Sequence, residues 1–290
     1  MKNNTSIIWI ALIIIPLALI AAIAGVFWQG TGDSYSFQTL RGESVAIRGS
    51  GLYAFDTVNS SSQEIAQDVV TIIIGIPLLI VGVLLTKKGS MRGRLLLTGG
   101  LGYFLYTYAS MSFLTAFNPF YLIYVTLFSL SLFGFILALS GLNPLEVTQN
   151  ISNSFPRRGI AIYFLIVGAF LSMAWLGLVV PPIFSGQPPA GLESAITMVI
   201  QSLDLGVIVP TSVITAVLLL KNKPWGFTLA IVVLLKILTM GTALVAMILN
   251  QLREGIAIEP VTSIIFVLIS LSGIFLAFLA LRSVQQKRFV

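Results

Sequence analysis

Cysteine and histidine are both absent from this chain of 290 residues. Without cysteine there is no disulfide framework, thiol nucleophile or thiolate metal site. Without histidine there is no imidazole proton switch near neutral pH, no Ser-His or Cys-His catalysis and no ordinary haem ligation. A zinc-binding H-E-x-x-H helix is excluded for the same reason. Charge is scarce as well. Charged side chains make up 9% of the chain, against about 25% in a soluble domain. That is too little to cover a water-facing surface of this size. A water-soluble globular enzyme, a disordered chain and a nucleic-acid module are excluded. No P-loop spacing occurs. No acidic pair with metal-ligand spacing lies at an inner membrane face, which argues against a lipid-phosphate transferase. The segments expected on the cytoplasmic side are too short for an ATPase or kinase domain.

What is present is apolar sequence, 57% of the chain before glycine is counted. A hydrocarbon layer about 30 Å thick takes roughly 20 apolar residues per helix. Eight stretches qualify: about 7–27, 67–86, 95–117, 120–142, 160–180, 198–220, 225–249 and 261–281. The expected fold class is therefore all-α: a polytopic membrane bundle of eight transmembrane helices forming one domain. The positive-inside rule orients it. With the N-terminus inside, the cytoplasmic side holds Lys2, Lys87, Lys88, Arg92, Arg94, Arg157, Arg158, Lys221, Lys223, Arg282, Lys287 and Arg288. The outer side holds only Arg41, Arg48 and Arg253, so both termini are expected inside. The net charge of +6 is then a topology signal and an attraction to anionic lipid head groups, and no nucleic-acid partner is implied. Lys2, the apolar run after it and Ala22-Ile23-Ala24 have the outline of a signal peptide, but the run exceeds a signal core, and a retained helix is expected. Trp28, Trp175, Phe120 and Tyr121 fall near outer span ends and Trp225 near an inner one, where amphipathic rings favour the interface.

The outer loop of residues 28–66 is the largest extramembrane piece. Tyr35 to Leu40 and Ser44 to Arg48 read as two short strands around Arg41-Gly42-Glu43. This predicts a β-hairpin that covers the bundle or meets a protein partner. Ser61-Ser62-Gln63-Glu64 matches a capping box and predicts the start of the second helix. Pro181-Pro182 is expected to stop the fifth helix. Asn118-Pro119 predicts a tight turn that makes the third and fourth helices antiparallel neighbours. The halves 1–142 and 160–281 share an outline, with Asp68, Pro77 and Lys87-Lys88 in one and Asp204, Pro210, Lys221 and Lys223 in the other. A parallel 4+4 duplication is geometrically possible. Gly99-Gly100-Leu101-Gly102 lies inside an apolar helix and reads as close helix packing.

Polar groups inside a bilayer are costly and face protein or water. Thr197, Gln201, Asp204, Thr211 and Thr215 fall on one face of the sixth helix at ordinary helical spacing. Glu64, Asp68, Thr71 and Gly75 share a face of the second. Tyr103, Tyr106, Thr107 and Ser110 lie on the third helix, Tyr124 and Ser131 on the fourth. These predict a polar cavity open to the outside and lined by helices two, three, four and six. The competing reading of each hydroxyl is ordinary interhelical bonding. Lys236 is the sharpest residue, because a lysine near mid-span costs about 2.5–3.5 kcal/mol. Asp204 lies about 24 Å along its helix from the shared inner turn and Lys236 about 17 Å along its own. A lysine stem of about 6 Å covers the difference, so an Asp204–Lys236 ion pair is expected. A retinal-type Schiff base is disfavoured, since helices three and four supply no carboxylate at depth. No cofactor or metal is expected.

Gly51-Leu52-Tyr53-Ala54-Phe55-Asp56-Thr57, Arg92-Gly93-Arg94-Leu95-Leu96-Leu97 and Tyr103-Phe104-Leu105-Tyr106-Thr107-Tyr108-Ala109 resemble a group of uncharacterised prokaryotic multi-pass membrane proteins. The resemblance covers most of the chain. It implies a prokaryotic cell membrane and transfers no functional residue. Two function classes follow from the residues themselves. One is a carrier or channel for a small solute or ion that uses Asp204, Lys236, Gln201, Thr211, Asp68, Tyr103 and Tyr106. The other is a non-catalytic subunit or sensor whose 28–66 loop binds a partner. An intramembrane enzyme ranks behind both.

Overall fold

Each apolar run becomes a helix, and the polar connections gather at two ends. The computed structural model describes residues 2–28 and 30–285, with side chains from residue 5 onward. Lys287, Arg288 and the Lys2 side chain lie outside them. In chain order the elements are α1 (Lys2–Phe27), β1 (Tyr35–Gln38), β2 (Ser44–Ile47), α2 (Val58–Lys87), α3 (Met91–Phe113), α4 (Tyr121–Ser140), the short α5 (Pro144–Gln149), α6 (Arg157–Ser185), α7 (Val199–Leu220), α8 (Pro224–Arg253) and α9 (Pro260–Ser283). Seven of these, α1, α2, α4, α6, α7, α8 and α9, are long and apolar enough to cross a membrane. Helix α3 matches them in length but not in apolarity. It lies against α2, α4 and α8, and Phe113 is its one exposed side chain. A helix wrapped by other helices does not need a lipid-compatible surface, which is why it can carry three tyrosines and several glycines.

The buried apolar residues form two clusters. One gathers α1, α2, α3 and α4 around Ile14, Leu79, Leu101 and Phe104. The other gathers α6 to α9 with the start of α3, around Ile160, Phe164, Leu219 and Leu234. Within α3, Gly99 sits against Val232 and Leu235 of α8, Gly100 against Leu79 of α2, and Gly102 against Phe135 of α4. The glycine run is therefore packing surface.

At one end lies the hairpin. Strands β1 and β2 pair antiparallel, Tyr35 opposite Ile47 and Gln38 opposite Ser44. Arg41 donates to the carbonyls of Glu193 (2.6 Å) and Ala195 (3.1 Å), and Arg48 pairs with Glu254 at 2.8 Å. The hairpin is thus tied to both the α6–α7 connection and the end of α8. At the opposite end Arg92 donates to the carbonyls of Val284 and Arg282, Arg157 to that of Leu219, and Arg94 to that of Gly141. Lys87, Lys88, Arg158, Lys221, Lys223 and Arg282 of the last turn of α9 belong to this basic end. Among the described residues the hairpin end holds only Arg41, Arg48 and Arg253 as cations.

Three local expectations need correction. Helix α2 begins at Val58, well before the capping-box sequence, because Thr57 takes the cap and accepts from the Ser60 N–H. Glu64 is then free to leave its own helix and bond elsewhere. Helix α6 runs through Pro181 and Pro182 to Ser185. The prolines fall in its last two turns, where few carbonyls remain to be satisfied. The stop is Gly186, in the left-handed region at φ 68, whose N–H bonds the Pro182 carbonyl. The polar connection 141–156 also contains α5, capped by Asn143, which was not expected.

Helices α2 and α7 each contain one π-helical turn, Thr71–Gly75 and Asp204–Ile208. Each is followed by a proline, Pro77 or Pro210, at the start of the next α-helical stretch of 12 residues. The turns after them also match. Lys88 (φ −83, ψ 7) corresponds to Lys221 (φ −81, ψ 7), and left-handed Gly89 (φ 73) to left-handed Asn222 (φ 53). Gly93 approaches the backbone of Leu85 and Thr86 just as Gly226 approaches that of Leu218 and Leu219. A Cβ at either glycine would lie 2.5 Å from backbone atoms. The separation along the chain is the same for every one of these pairs.

Candidate functional site

Between α2, α3, α6, α7, α8 and α9, toward the hairpin end, lies a cavity of about 690 Å³. Among its polar groups is Asp204, the first residue of the π turn in α7. Oδ1 of Asp204 accepts from the Tyr106 hydroxyl at 2.7 Å, and Oδ2 accepts from the Trp175 indole N–H at 2.9 Å. The Lys236 ammonium lies 3.9 Å from the centroid of the Tyr106 ring. Tyr106 therefore links the two charges, acid on its edge and ammonium on its face. Direct pairing does not occur. The salt bridges among the described residues are Arg41–Glu43 and Arg48–Glu254. The expected Asp204–Lys236 ion pair is corrected to a relay through an aromatic ring, a cation–π arrangement that favours the ammonium when water is excluded.

Higher in the cavity Glu64 accepts from the Thr115 hydroxyl at 2.6 Å, and Asp56 accepts from the Ala116 N–H at 2.8 Å. The adjacent anchors bring both carboxylates to one corner. Burial pushes the Asp56 carboxyl up to about 6, against the opposing effect of the Ala116 N–H. At the rim Glu193 accepts from the Thr57 hydroxyl and from Asn59 Nδ2 (2.7 Å). That fastens the α6–α7 connection over the start of α2.

Of the residues predicted for this site, Asp204, Lys236, Tyr106 and Gln201 line the cavity. Asp68, Tyr103 and Thr211 do not. Asp68 accepts from the Tyr53 hydroxyl at 2.5 Å, beneath Gly25 of α1. Burial, followed by the nearby Asp68 charge, raises the Tyr53 phenol well above its usual range. Tyr103 joins a second buried network. It meets Gln67 Nε2 at 2.6 Å and Thr71 Oγ1 at 2.8 Å, and the same Gln67 nitrogen donates to Thr107 at 3.0 Å. Thr211 is displaced by the π turn. Counting the extra residue in that turn moves the interior face of α7 one position onward, so Ser212 and Thr215 are buried and Thr211 stays at the edge. Helix α4 lines no part of the cavity. Its Tyr124 stacks on Tyr108 at 6.3 Å, and Ser131 is buried among α1 to α4.

Sequence reasoning found Lys236 of α8 but missed the contribution of α6 and α9. Trp175 was expected at the interface yet holds Asp204, and Phe266 of α9 packs on both Phe170 (5.1 Å) and Trp175 (6.1 Å). In α6 the available signal was the Trp175 indole N–H, which needs an acceptor when buried.

Fold and cavity together define a class: a helical bundle of membrane-spanning character with a largely apolar pocket that holds several acids, at the end that carries a two-stranded hairpin. Compared with protein-family models, with curated proteins and with solved structures, the chain matches none.

Proposed function

We propose that the chain crosses a prokaryotic cell membrane eight times, with both termini cytoplasmic, and carries or conducts a small solute or ion through the cavity at its hairpin end. The single observation that carries this reading is the cavity itself. About 690 Å³ of space is lined by five acids and the Lys236 ammonium within a bundle of apolar helices. Packing alone has no use for such a volume, and ligand sites commonly occupy about 300–1,000 Å³. The eighth crossing is α3, whose 23 residues extend about 34 Å, enough for the hydrocarbon layer. The orientation rests on the concentration of cations at the end opposite the hairpin.

The paired π turns, prolines and basic corners support a duplication of four helices, α1–α4 and α6–α9. In that scheme Thr71 and Tyr103 stand where Asp204 and Lys236 stand in the second half. The first half is closed by α1 lying along α4, while the second leaves space between α6 and α9. The cavity is the difference between two copies of one design.

The test is flux into proteoliposomes loaded against a panel of labelled amines, amino acids, sugars and alkali cations. Protein-dependent entry of at least one solute, lost in Asp204→Asn, is expected. Entry that never exceeds that of protein-free vesicles would refute transport. A second reading is supported by the hairpin, where Tyr35, Phe37 and Leu40 are exposed. On that reading the loop 28–66 docks a protein partner, and replacing those three residues by serine abolishes co-purification of the partner while leaving flux intact.

A further inference from the structure

The charge balance of the cavity is one-sided. Asp56, Glu64, Glu193, Asp204 and Glu259 line it, against the single ammonium of Lys236. Two of the acids have structural duties. Glu193 is held by Thr57 and Asn59, and Glu259 caps α9 by accepting from the Val261 and Thr262 N–H groups. The other three face inward. Asp204 has both oxygens met by neutral donors, and among the described residues no cation pairs with it directly. Glu64 is 9% exposed, and its Oε2 has no hydrogen-bond partner; Oδ2 of Asp56 has none either. A buried carboxyl with an open oxygen requires a donor or a positive charge to ionise, and otherwise keeps its proton. Around Asp204 the wall is aromatic: Tyr106 and Trp175 donate to it, and Phe266 packs on Trp175 and Phe170. Ring faces attract cations and offer nothing to anions. One cation already uses them: the Lys236 ammonium on Tyr106, beside the acid that Tyr106 holds.

We infer that the cavity binds a monovalent organic cation, an amine or quaternary ammonium with an apolar body, and that the Lys236 ammonium is a tethered stand-in which the ligand displaces. The cationic head passes Asp56 and Glu64 and settles against Tyr106, Trp175 and Asp204. The apolar body lies on Phe170 and Phe266. A metal ion fits less well, because no group of three or more carboxylates converges among the described residues and a hard cation needs six or more oxygen ligands. The inference deepens the transport reading and rests on the cavity being a ligand site.

The probe is benzyltrimethylammonium, with benzenesulfonate and benzyl alcohol as anionic and neutral counterparts of similar size. Each is titrated into purified protein in detergent while the melting temperature is followed. The cation alone should raise it. Asp204→Asn should weaken the apparent affinity about tenfold, and Lys236→Met, which removes the internal competitor, should strengthen it about threefold. Where Asp204→Asn gives no folded protein, Glu64→Gln should show a weakening of about threefold. An equal response to sulfonate or alcohol overturns the inference, as does no response to the cation, or weaker binding in Lys236→Met. Cation binding without flux in liposomes defeats transport and keeps this inference. Flux of an anionic or neutral solute does the reverse.

Discussion

The hydroxyl of Tyr106 donates to Asp204 while the ring lies under the Lys236 ammonium, so one side chain contributes through two separable interactions. Tyr106→Phe keeps the ring and deletes the bond to a charged acceptor, worth about 1.5–3 kcal/mol. Tyr106→Leu removes the ring as well and should cost more. Chemical unfolding of both variants checks this; equal losses would mean that the ring face contributes nothing. Asp56 makes a pH-dependent contribution whose sign follows from its raised value. Between about pH 4 and pH 6 the folded chain holds a proton that the unfolded chain has already released. Stability therefore falls as pH rises through that window, by up to about 3 kcal/mol, and levels off above it. In Asp56→Asn the slope should flatten. A stability that climbs over the same range, or an undiminished slope in the variant, contradicts the assignment. At this scale the sequence was legible in part. An acid and a lysine stranded among apolar residues must find partners, and that alone brought Asp204 and Lys236 to attention. It could not reveal that Tyr106 and Trp175 come between or beside them, because those contacts arise from helices distant in the chain.

Among the elements, the two π turns explain why a helical wheel drawn on α7 fails halfway along. Regular spacing places Thr211 under Asp204, whereas the inserted residue brings Ser212 there. Nothing in Asp204-Leu205-Gly206-Val207-Ile208 signals the wider turn except the proline that follows it. Deleting Gly206, whose surroundings are open, should restore regular α-helix and rotate the two parts of α7 by about 100° against each other. The expected outcome is a chain that still inserts but has lost the bond from Trp175 to Asp204, read as a changed indole fluorescence relative to a Trp175→Phe control. Unchanged fluorescence would mean that the turn does not position Asp204. The entry to α2 offers a simpler check. Thr57→Ala removes both the cap on Ser60 and the bond to Glu193. The cap alone is worth about 1 kcal/mol, and a fall in stability much below that would show the cap to be idle. The hairpin was legible because alternation and turn residues coincide there. The true start of α2 was not, because two cap-competent sequences lie a few residues apart and tertiary bonding of Glu64 to Thr115 selected between them.

For the molecule as a whole, the count of crossings depends on α3, the one long helix whose composition is not strongly apolar. Its polarity is what a central position allows: neighbouring helices satisfy Tyr103 and Thr107, and lipid meets almost none of its surface. Hydropathy along a chain registers what faces lipid, so a helix enclosed by others is the one it describes least well. The absence of cysteine makes the question directly testable, since any introduced thiol is unique. Gln38 on β1, Phe117 just beyond α3, and Lys88 and Lys221 at the basic corners are all exposed. In intact cells a membrane-impermeant maleimide should label Gln38→Cys and Phe117→Cys. It should reach Lys88→Cys and Lys221→Cys only after permeabilisation. Lys88 and Phe117 bracket α3 alone, so labelling of both from the same side would leave seven crossings and place the termini on opposite faces. Labelling of Lys88 and Lys221 from outside, with Gln38 protected, would invert the orientation and turn the acidic cavity toward the cytoplasm. The expected pattern instead places five carboxylates and an aromatic wall at the external face, where a cationic solute would first meet the protein.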